Sequence, residues 1–169
     1  DIAANVVRVV PISPLSDLAP LSGLGLLEEL DVRDCEGVSS LAPLSACTAL
    51  NTLGVGPGIQ NLQPIASLTN LRRFELWDCT GITSLAPLEQ LQGLSLAVTR
   101  CTISLTQLSQ LHGLSSLEIA GCTGITSLAP LEQLQGLSSL HLYGCTGITS
   151  LLPLVQLTGL SVLDISFCT

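Results

Sequence analysis

Lysine is absent from this 169-residue chain, and charged and aromatic side chains are both scarce. Five arginines stand against thirteen acidic residues, which gives a formal net charge of −8 at pH 7. Because binding to nucleic acid phosphates requires a basic face, this balance argues against a nucleic acid partner. Hydrophobic residues make up 47% of the chain, but aromatic residues make up only 2%. The composition therefore predicts an aliphatic core, built chiefly from leucine.

Long apolar segments are also lacking. No run approaches the roughly 18 apolar residues that cross a bilayer, so no membrane insertion is expected. The N-terminus shows no charged segment followed by an apolar one, although a signal peptide could lie upstream of Asp1. The seven cysteines lack the clustered spacing of a zinc site or a disulfide-rich cap. Unpaired thiols are typical of a reducing compartment, so we expect a cytoplasmic protein.

What the chain does have is a repeat. One seventeen-residue string occurs twice without change, at 79–95 and at 122–138. Aligned on leucine, the copies follow one another in steps of 23, 23, 21, 23, 20, 23 and 23 residues. The full unit is L-x-x-L-x-L-x-x-C-T-G-I-T-S-L-A-P-L-x-Q-L-x-G. On this alignment the copies begin near Ala4, Leu27, Leu50, Leu71, Leu94, Leu114, Leu137 and Leu160.

Each unit predicts one strand and one tight turn. In the fourth copy Phe74 and Leu76 alternate with Glu75 and Trp77, which is the period of a half-buried strand. Strands stacked about 4.8 Å apart would form a parallel sheet. The L-x-P-L segment lies opposite the strand, where the fixed φ of proline suits the first turn of a short helix. Since few residues remain in each coil, a 3₁₀ turn is favoured over an α-helix.

The unit resembles the leucine-rich repeat over essentially the whole chain. The segment Ile-Thr-Ser-Leu-Ala-Pro-Leu is similar to the short repeats of bacterial internalins and of the leucine-rich phosphatase regulators, and Cys-Thr-Gly-Ile more weakly resembles leucine-rich proteins of parasitic protozoa. The resemblance implies an α/β solenoid of about eight coils of 20–23 residues. A parallel sheet would line its concave face, and 3₁₀ turns or irregular segments would form its convex face. We expect a single domain over residues 1–169, cut from a longer array.

Six cysteines share one repeat position, after the strand, where many leucine-rich proteins carry asparagine. Two interpretations are open: a row of redox-active or metal-binding thiolates, or thiols that fill the turn and bond to the backbone. The structural interpretation is favoured, because reactive cysteines lie in electropositive, partly open sites. Cys47 differs in replacing a core leucine. The six are Cys35, Cys79, Cys101, Cys122, Cys145 and Cys168.

The outward strand positions are where the copies differ most. The first outward column runs Arg8, Asp31, Gly54, Glu75, Ala97, Glu118, His141, Asp164, and the second runs Val10, Arg33, Gly56, Trp77, Thr99, Ala120, Tyr143, Ser166. All five arginines lie in or beside strands, and the second column holds the single Trp and the single Tyr of the chain. Trp, Tyr and Arg are the residues that most often anchor protein interfaces. The alternative is a strand face that is merely solvated.

We therefore predict a partner-binding site on the concave face, with Trp77 as its anchor and Arg73 and Arg100 supplying charge. The glycines of 54–58 should leave a notch beside it, which could admit a partner side chain or merely reflect a deletion. The predicted site consists of Arg33, Arg73, Glu75, Trp77, Asp78, Arg100, Glu118, His141, Tyr143 and Asp164.

Three residues of this set are also candidate metal ligands. Glu118, His141 and Asp164 occupy one column in consecutive strands, so their side chains should be neighbours. They could hold a divalent metal or form a surface ion-pair row. The ion-pair row is favoured, because a flat open face offers no second shell to orient ligands. We therefore expect no metal and no other cofactor.

The sequence has no recognisable enzymatic motif. No serine lies in a nucleophile-elbow context, and no glycine-rich segment has the lysine of a phosphate-binding loop. The sequence predicts a non-enzymatic module that binds another protein. Two alternatives stay open. One is a structural scaffold that self-associates through an uncapped C-terminal edge after Ile165 or through a convex surface with Val155, and the other is a targeting or regulatory domain of a larger enzyme.

Overall fold

Each copy of the repeat contributes one strand to a single parallel sheet. The structure, a computed structural model, describes residues 8–9 and 15–168. The eight strands lie in the order in which they occur along the chain, so each pairs with its sequence neighbours. Their bounds are β1 Arg8–Val9, β2 Glu29–Val32, β3 Thr52–Val55, β4 Arg73–Trp77, β5 Leu94–Thr99, β6 Leu114–Ala120, β7 Ser139–Tyr143 and β8 Val162–Ser166. The predicted solenoid with one strand per coil is confirmed.

The opposite side of the coils is formed by short 3₁₀ segments, as predicted. Each begins directly after a leucine and has proline in its first turn, where the missing N–H costs no hydrogen bond. None of the helices in the described residues is long and apolar enough to cross a membrane. The 3₁₀ segments are Ala19–Leu21, Ala42–Ala46, Gln63–Ile65, Ala86–Leu88, Ala129–Gln133 and Leu152–Gln156.

The copy without a proline forms α-helix instead. The helix α1 spans Leu105–Leu108, and the Ser104 hydroxyl accepts a hydrogen bond from the Thr106 N–H at 3.3 Å. The Gln107 N–H donates to the Ser104 carbonyl at 3.0 Å. In the other copies the residue equivalent to Gln107 is proline, which has no N–H to donate. The different turn type therefore occurs in a copy that lacks the proline and is also shorter, at 20 residues.

The core is one aliphatic column that runs through all coils. The inward residues Leu53, Phe74, Leu96, Leu117 and Leu140 are fully buried and stack from strand to strand. No charged or polar residue is buried among the residues that the structure describes. A solenoid buries each coil against its two neighbours, so this column is what holds the strand face in place.

The cysteines of the repeat form a ladder along the edge of the core. The thiol of Cys79 donates to the Gly56 carbonyl at 3.2 Å, and its backbone N–H donates to the Cys101 sulfur at 3.3 Å. Burial raises the pKa of Cys145 to about 11 and also raises the pKa of Cys122. These thiols pack and bond to the backbone as the structural interpretation predicts. Cys47 is likewise buried, and it donates to the Leu21 carbonyl at 3.5 Å.

The first copy is aligned differently from the sequence expectation. Arg8 pairs in register with Glu29, not with Asp31, and Val9 takes the inward position opposite Leu30. Arg8 therefore lies beside Glu29, two residues before the predicted neighbour Asp31. Its Nε is 3.0 Å from Glu29 Oε2. Alignment on Ala4 was wrong because an inward valine, Val9, replaces the strand leucine. Val10, predicted for the second outward column, lies outside the described residues.

Candidate functional site on the concave strand face

The two outward columns lie in register across the sheet. The first column joins Asp31, Gly54, Glu75, Ala97, Glu118, His141 and Asp164 as direct neighbours. The second joins Trp77, Thr99, Ala120, Tyr143 and Ser166. Arg33, Asp78 and Arg100 follow directly after strands β2, β4 and β5. All of the predicted site residues therefore belong to one face, which divides into two halves of different chemistry.

The half that contains β2 to β5 carries a charge network, which we call the arginine half-face: Asp31, Arg33, Arg73, Glu75, Trp77, Asp78 and Arg100. Arg33 binds the Asp31 carboxylate through Nε at 2.9 Å and through Nη2 at 2.7 Å. Its Nη1 is 2.6 Å from Glu75, which also accepts from Arg73 Nε at 2.6 Å. The hydrogen bond from Arg33 lowers the pKa of Asp31. Glu75 is thus held between two guanidinium groups.

Trp77 is fixed at the centre of this half by two cations. The Arg100 guanidinium carbon lies 4.7 Å from the indole centroid, and that of Arg33 lies 5.9 Å away. Both distances are within the range of cation–π attraction. Arg100 also binds Asp78 with two hydrogen bonds, of 2.7 and 2.5 Å, which lower the pKa of Asp78. The indole is therefore part of a paired network rather than a loose surface ring.

The pair that flanks Trp77 sits on strained backbone. Asp78 and Arg100 have φ values of 53° and 51°, in the left-handed region. The same turn in later coils is occupied by Gly121 and Gly144, with φ of 64° and 62°. A left-handed conformation costs an L-residue about 1–2 kcal/mol, less for Asp. Three coils, at Asp78, Arg100 and Phe167, thus carry side chains at a turn for which glycine is the relaxed choice, and the first two of these side chains pair beside the indole.

A hollow of about 180 Å³ opens over Thr52 and Gly54, at the position of the predicted notch. A Cβ on Gly54 would lie 2.9 Å from Asp31 Oδ1 and 3.1 Å from Arg33 Cγ. Because Gly54 has no side chain, Arg33 crosses the third coil and reaches Glu75 on β4. The glycine therefore has a role in the site that the sequence did not reveal.

The other half of the face, which contains β6 to β8, is acidic. We call four of its outward residues, Glu118, His141, Tyr143 and Asp164, the acidic half-face. The Tyr143 hydroxyl donates to Asp164 Oδ2 at 2.9 Å, and Ser166 donates to Oδ1 at 2.7 Å. These bonds, Ser166 first, lower the pKa of Asp164, and the bond to Asp164 raises the pKa of Tyr143. The Asp164 carboxylate is thus oriented and kept ionised.

His141 joins this half only in part. Its Nε2 lies 2.9 Å from the Ser139 hydroxyl, and its Nδ1 lies 3.9 Å from Asp164. The rings of His141 and Tyr143 are stacked, with centroids 6.3 Å apart. Within the described ranges no group of three histidines, cysteines or acids is arranged to hold a metal ion. The contact between His141 and Asp164 does not extend to Glu118, so the predicted row of three is not formed.

Solved structures with the same fold are known. No family model matches the chain, and no curated protein matches it. The internalin InlF of Listeria monocytogenes superposes with a TM-score of 0.70 at 31% identity, over 88% of this chain and 44% of that one. The internalin InlC2 of the same species gives a TM-score of 0.70 at 27% identity, over 89% of this chain and 67% of that one. The chain is a leucine-rich repeat protein.

A third leucine-rich protein shares the fold. The functional domain of InlJ from Listeria monocytogenes includes a cysteine ladder, and it shares the fold at a TM-score of 0.52 and 18% identity. The similarity covers 95% of this chain and 38% of that one. This leucine-rich repeat protein therefore spans less than half the length of InlF and of InlJ.

Several residues of the site were missed by sequence reasoning. Asp31 orients Arg33, Ser139 contacts His141, and Ser166 orients Asp164. In each pair the two residues are separated by one position on the same strand face. A polar residue two positions before or after a charged outward residue lies on the same face, and this spacing would have identified them. The left-handed turn of Asp78 and Arg100 could have been recognised from the glycines at the same position in later copies of this leucine-rich repeat protein.

Proposed function

We propose that this leucine-rich repeat protein is a non-enzymatic interaction module that binds a protein partner through its concave strand face. The similarity to internalins supports a protein-interaction role of a general kind. The site itself supports the finer proposal, since all five arginines, the Trp and the Tyr lie on or beside this face, while the 3₁₀ side carries chiefly Ala, Ser, Gln and Leu, with Glu89 and Glu132.

The observation that carries the proposal is the fixed indole of Trp77. Rigid aromatic side chains bind at low entropic cost, because their rotamer is already restricted before the partner arrives. Here two guanidinium groups flank the ring, and one of them, Arg100, lies in a left-handed turn where the next two coils have glycine.

Affinity capture from a lysate of the source cell, with quantitative mass spectrometry, tests the proposal. The concave variant carries Arg73→Ala, Glu75→Ala, Trp77→Ala and Tyr143→Ala. The matched control carries four substitutions at one exposed position of the 3₁₀ side: Gln90→Ala, Gln110→Ala, Gln133→Ala and Gln156→Ala.

The proposal expects a protein that is captured by the unaltered chain and by the control, and lost from the concave variant by at least tenfold. Calorimetric titration of the purified partner should then show the same ranking. Equal capture by all three chains would refute the concave face as the site.

Self-association is the second candidate, and one observation favours it. Leu152 and Val155 on the 3₁₀ side are 75% and 69% exposed, at positions where the preceding coil has Ala129 and Glu132. An oligomer size that rises with protein concentration, and returns to monomer in Leu152→Ser with Val155→Glu, would support this candidate. A monomer at all concentrations would refute it.

A further inference from the structure

We propose that a partner bound to the concave face also inserts an uncharged, aliphatic loop tip into a hollow on the flank of the solenoid, between the fifth and sixth coils. The inference rests on the proposed function, because it extends the same binding surface over the rim of the sheet and assigns the chemistry of the partner there. It follows from a shortened coil and from the groups that line the space beside it.

The hollow lies where one copy of the repeat is short. Residues 101–105 of the fifth copy read Cys-Thr-Ile-Ser-Leu, whereas the copies on either side have Cys-Thr-Gly-Ile-Thr-Ser-Leu, two residues more. Beside this short loop is a space of about 690 Å³, lined by 100–106, 121–127 and Pro130, which we call the flank hollow. Pockets of about 300–1,000 Å³ hold a whole ligand-sized group, so the flank hollow is large enough for the tip of a loop.

Core side chains are slightly uncovered on the floor of the flank hollow. Leu105 is 5% exposed, against 1% for each of its equivalents Leu85 and Leu128, and Cys101 is likewise more exposed than Cys79. Aliphatic carbon and thiol sulfur of the core are therefore reachable here. An apolar group placed on this floor removes that surface from water, which is favourable.

The hydroxyl groups around the flank hollow are mostly occupied already. The Thr102 hydroxyl donates to the Thr80 carbonyl at 3.3 Å, and the hydroxyls of Ser104 and Thr106 bond to each other at 2.7 Å. A fourth hydroxyl, that of Ser127, accepts from the backbone N–H two residues later. Four of the six lining hydroxyls thus have partners within the chain. A polar occupant would lose its water and find few replacements, whereas an aliphatic one has none to lose.

A charged occupant is disfavoured for a related reason. Arg100 is the single charged residue among those that line the flank hollow. Its guanidinium binds the Asp78 carboxylate with two hydrogen bonds and lies 4.7 Å from the indole centroid of Trp77. That charge is already paired, so a group of either sign would enter the hollow uncompensated.

Arg100 also joins the flank hollow to the concave face. Its stem passes over Gly121, where an added Cβ would lie 3.3 Å from Arg100 Cγ, and both residues line the hollow. Its guanidinium covers Trp77 on the concave face. Protein interfaces pack about as densely as protein interiors. A partner that covers Trp77 and Arg100 must therefore fill the adjoining hollow or leave a void against aliphatic side chains, and a loop tip of that partner is the occupant.

Insertion of two residues fills the flank hollow without changing the concave face. Glycine is inserted between Thr102 and Ile103, and threonine between Ile103 and Ser104, so the fifth copy reads Cys-Thr-Gly-Ile-Thr-Ser-Leu like its neighbours. Because the insertion restores the repeat, the coil should fold, and urea unfolding checks its stability. Thr123→Trp is a second filling variant. Thr146→Trp, at the same repeat position one copy later and outside the lining residues, is its matched control.

Selection from a display library of random twelve-residue peptides on the unaltered chain supplies the probes. The affinity of each enriched peptide is then measured on the unaltered chain, on the filling variants and their control, and on Trp77→Ala, which reports on the concave face. Each residue of the peptide is also replaced by alanine. Double-mutant cycles between these replacements and the insertion identify the peptide residue that occupies the flank hollow.

The inference expects peptides whose affinity falls about tenfold or more on Trp77→Ala, on the insertion variant and on Thr123→Trp, and stays within about twofold on Thr146→Trp. Replacing one leucine, isoleucine, valine or methionine of the peptide by alanine should cost about tenfold on the unaltered chain and little more on the insertion variant.

Two outcomes would overturn the inference and leave the proposed function standing. One is a set of peptides that need Trp77 but tolerate both filling variants, and the other is a coupled peptide residue that is polar or charged. A library that yields no peptide sensitive to Trp77→Ala would overturn both the inference and the proposed function.

Discussion

Gly54 and Gly56 are neighbours on the same outward face, yet an added methyl group should leave stability almost unchanged at Gly54 and lower it strongly at Gly56. At Gly54 the new Cβ would meet side-chain atoms, Asp31 Oδ1 at 2.9 Å and Arg33 Cγ at 3.1 Å. At Gly56 it would lie 2.2 Å from the backbone carbonyl oxygen of Arg33. A side chain can turn aside, whereas a backbone carbonyl in a packed coil cannot.

The magnitudes follow from these contacts. In Gly54→Ala, an alanine in a strand gains about 0.5–1 kcal/mol over glycine, and loss of the ion pair between Arg33 and Glu75 removes about 0–1 kcal/mol. The two nearly cancel. In Gly56→Ala, a carbon and an oxygen normally about 3.3 Å apart overlap by about 1 Å, so adjacent coils must separate. Overpacking of this kind costs about 2–3 kcal/mol.

Urea unfolding followed by circular dichroism measures the difference. With a slope of about 2 kcal/mol per molar, Gly56→Ala should lower the midpoint by about 1–1.5 M, and Gly54→Ala should shift it by less than about 0.5 M. Emission of Trp77 should change in folded Gly54→Ala, because Arg33 leaves the ring. Equal destabilisation by the two substitutions would refute the distinction between side-chain and backbone obstruction, and so the role given to Gly54.

Two further predictions concern the left-handed turn after the strand and the pH dependence of the ion pair between Asp78 and Arg100. Gly144→Ala should destabilise the protein by about 1 kcal/mol in urea unfolding because its φ is 62°, whereas Gly124→Ala, with open space and no positive φ, should change stability by less than about 0.5 kcal/mol. Similar values for both would contradict the strain argument. The pKa of Asp78 is lowered from 3.8 by Arg100, so this pair should persist down to pH 3.8 and open below it. Trp77 emission should then change below pH 3.8 in the folded protein but not in Asp78→Asn, and a transition above that pH would contradict the pairing.

The prediction of the fold succeeded because the repeat is redundant. Where one copy departs from the inward leucine, the equivalent leucines of the other copies still establish the alignment. Period-two alternation specifies the buried face of every strand. The first copy has valine in place of the strand leucine and matches few other positions of the repeat, so its alignment was wrong by two residues. The helix at Leu105–Leu108 marks the other limit, since the missing proline changes the local hydrogen bonding.

The predicted site was located on one face, but its internal organisation was not foreseen. The sequence indicated that Arg73 and Arg100 supply charge around Trp77. It did not reveal that Arg73 is paired with Glu75, that Arg100 is paired with Asp78, or that Arg33 crosses Gly54. The first pair lies within one strand, but the contacts of Arg100 and Arg33 depend on side-chain directions between coils, whose residues lie more than twenty positions apart along the chain.

By itself, the sequence determined which residues face the core and which face solvent, because burial of a repeated leucine pattern leaves one arrangement of coils. Only the tertiary structure decided which charges neutralise one another. Ion pairing depends on a few ångströms of separation between side chains of neighbouring coils, and the repeat period sets the register of strands but not the rotamers. That is why the balanced arginine half-face and the unbalanced Glu118 and Asp164 became distinguishable only after folding.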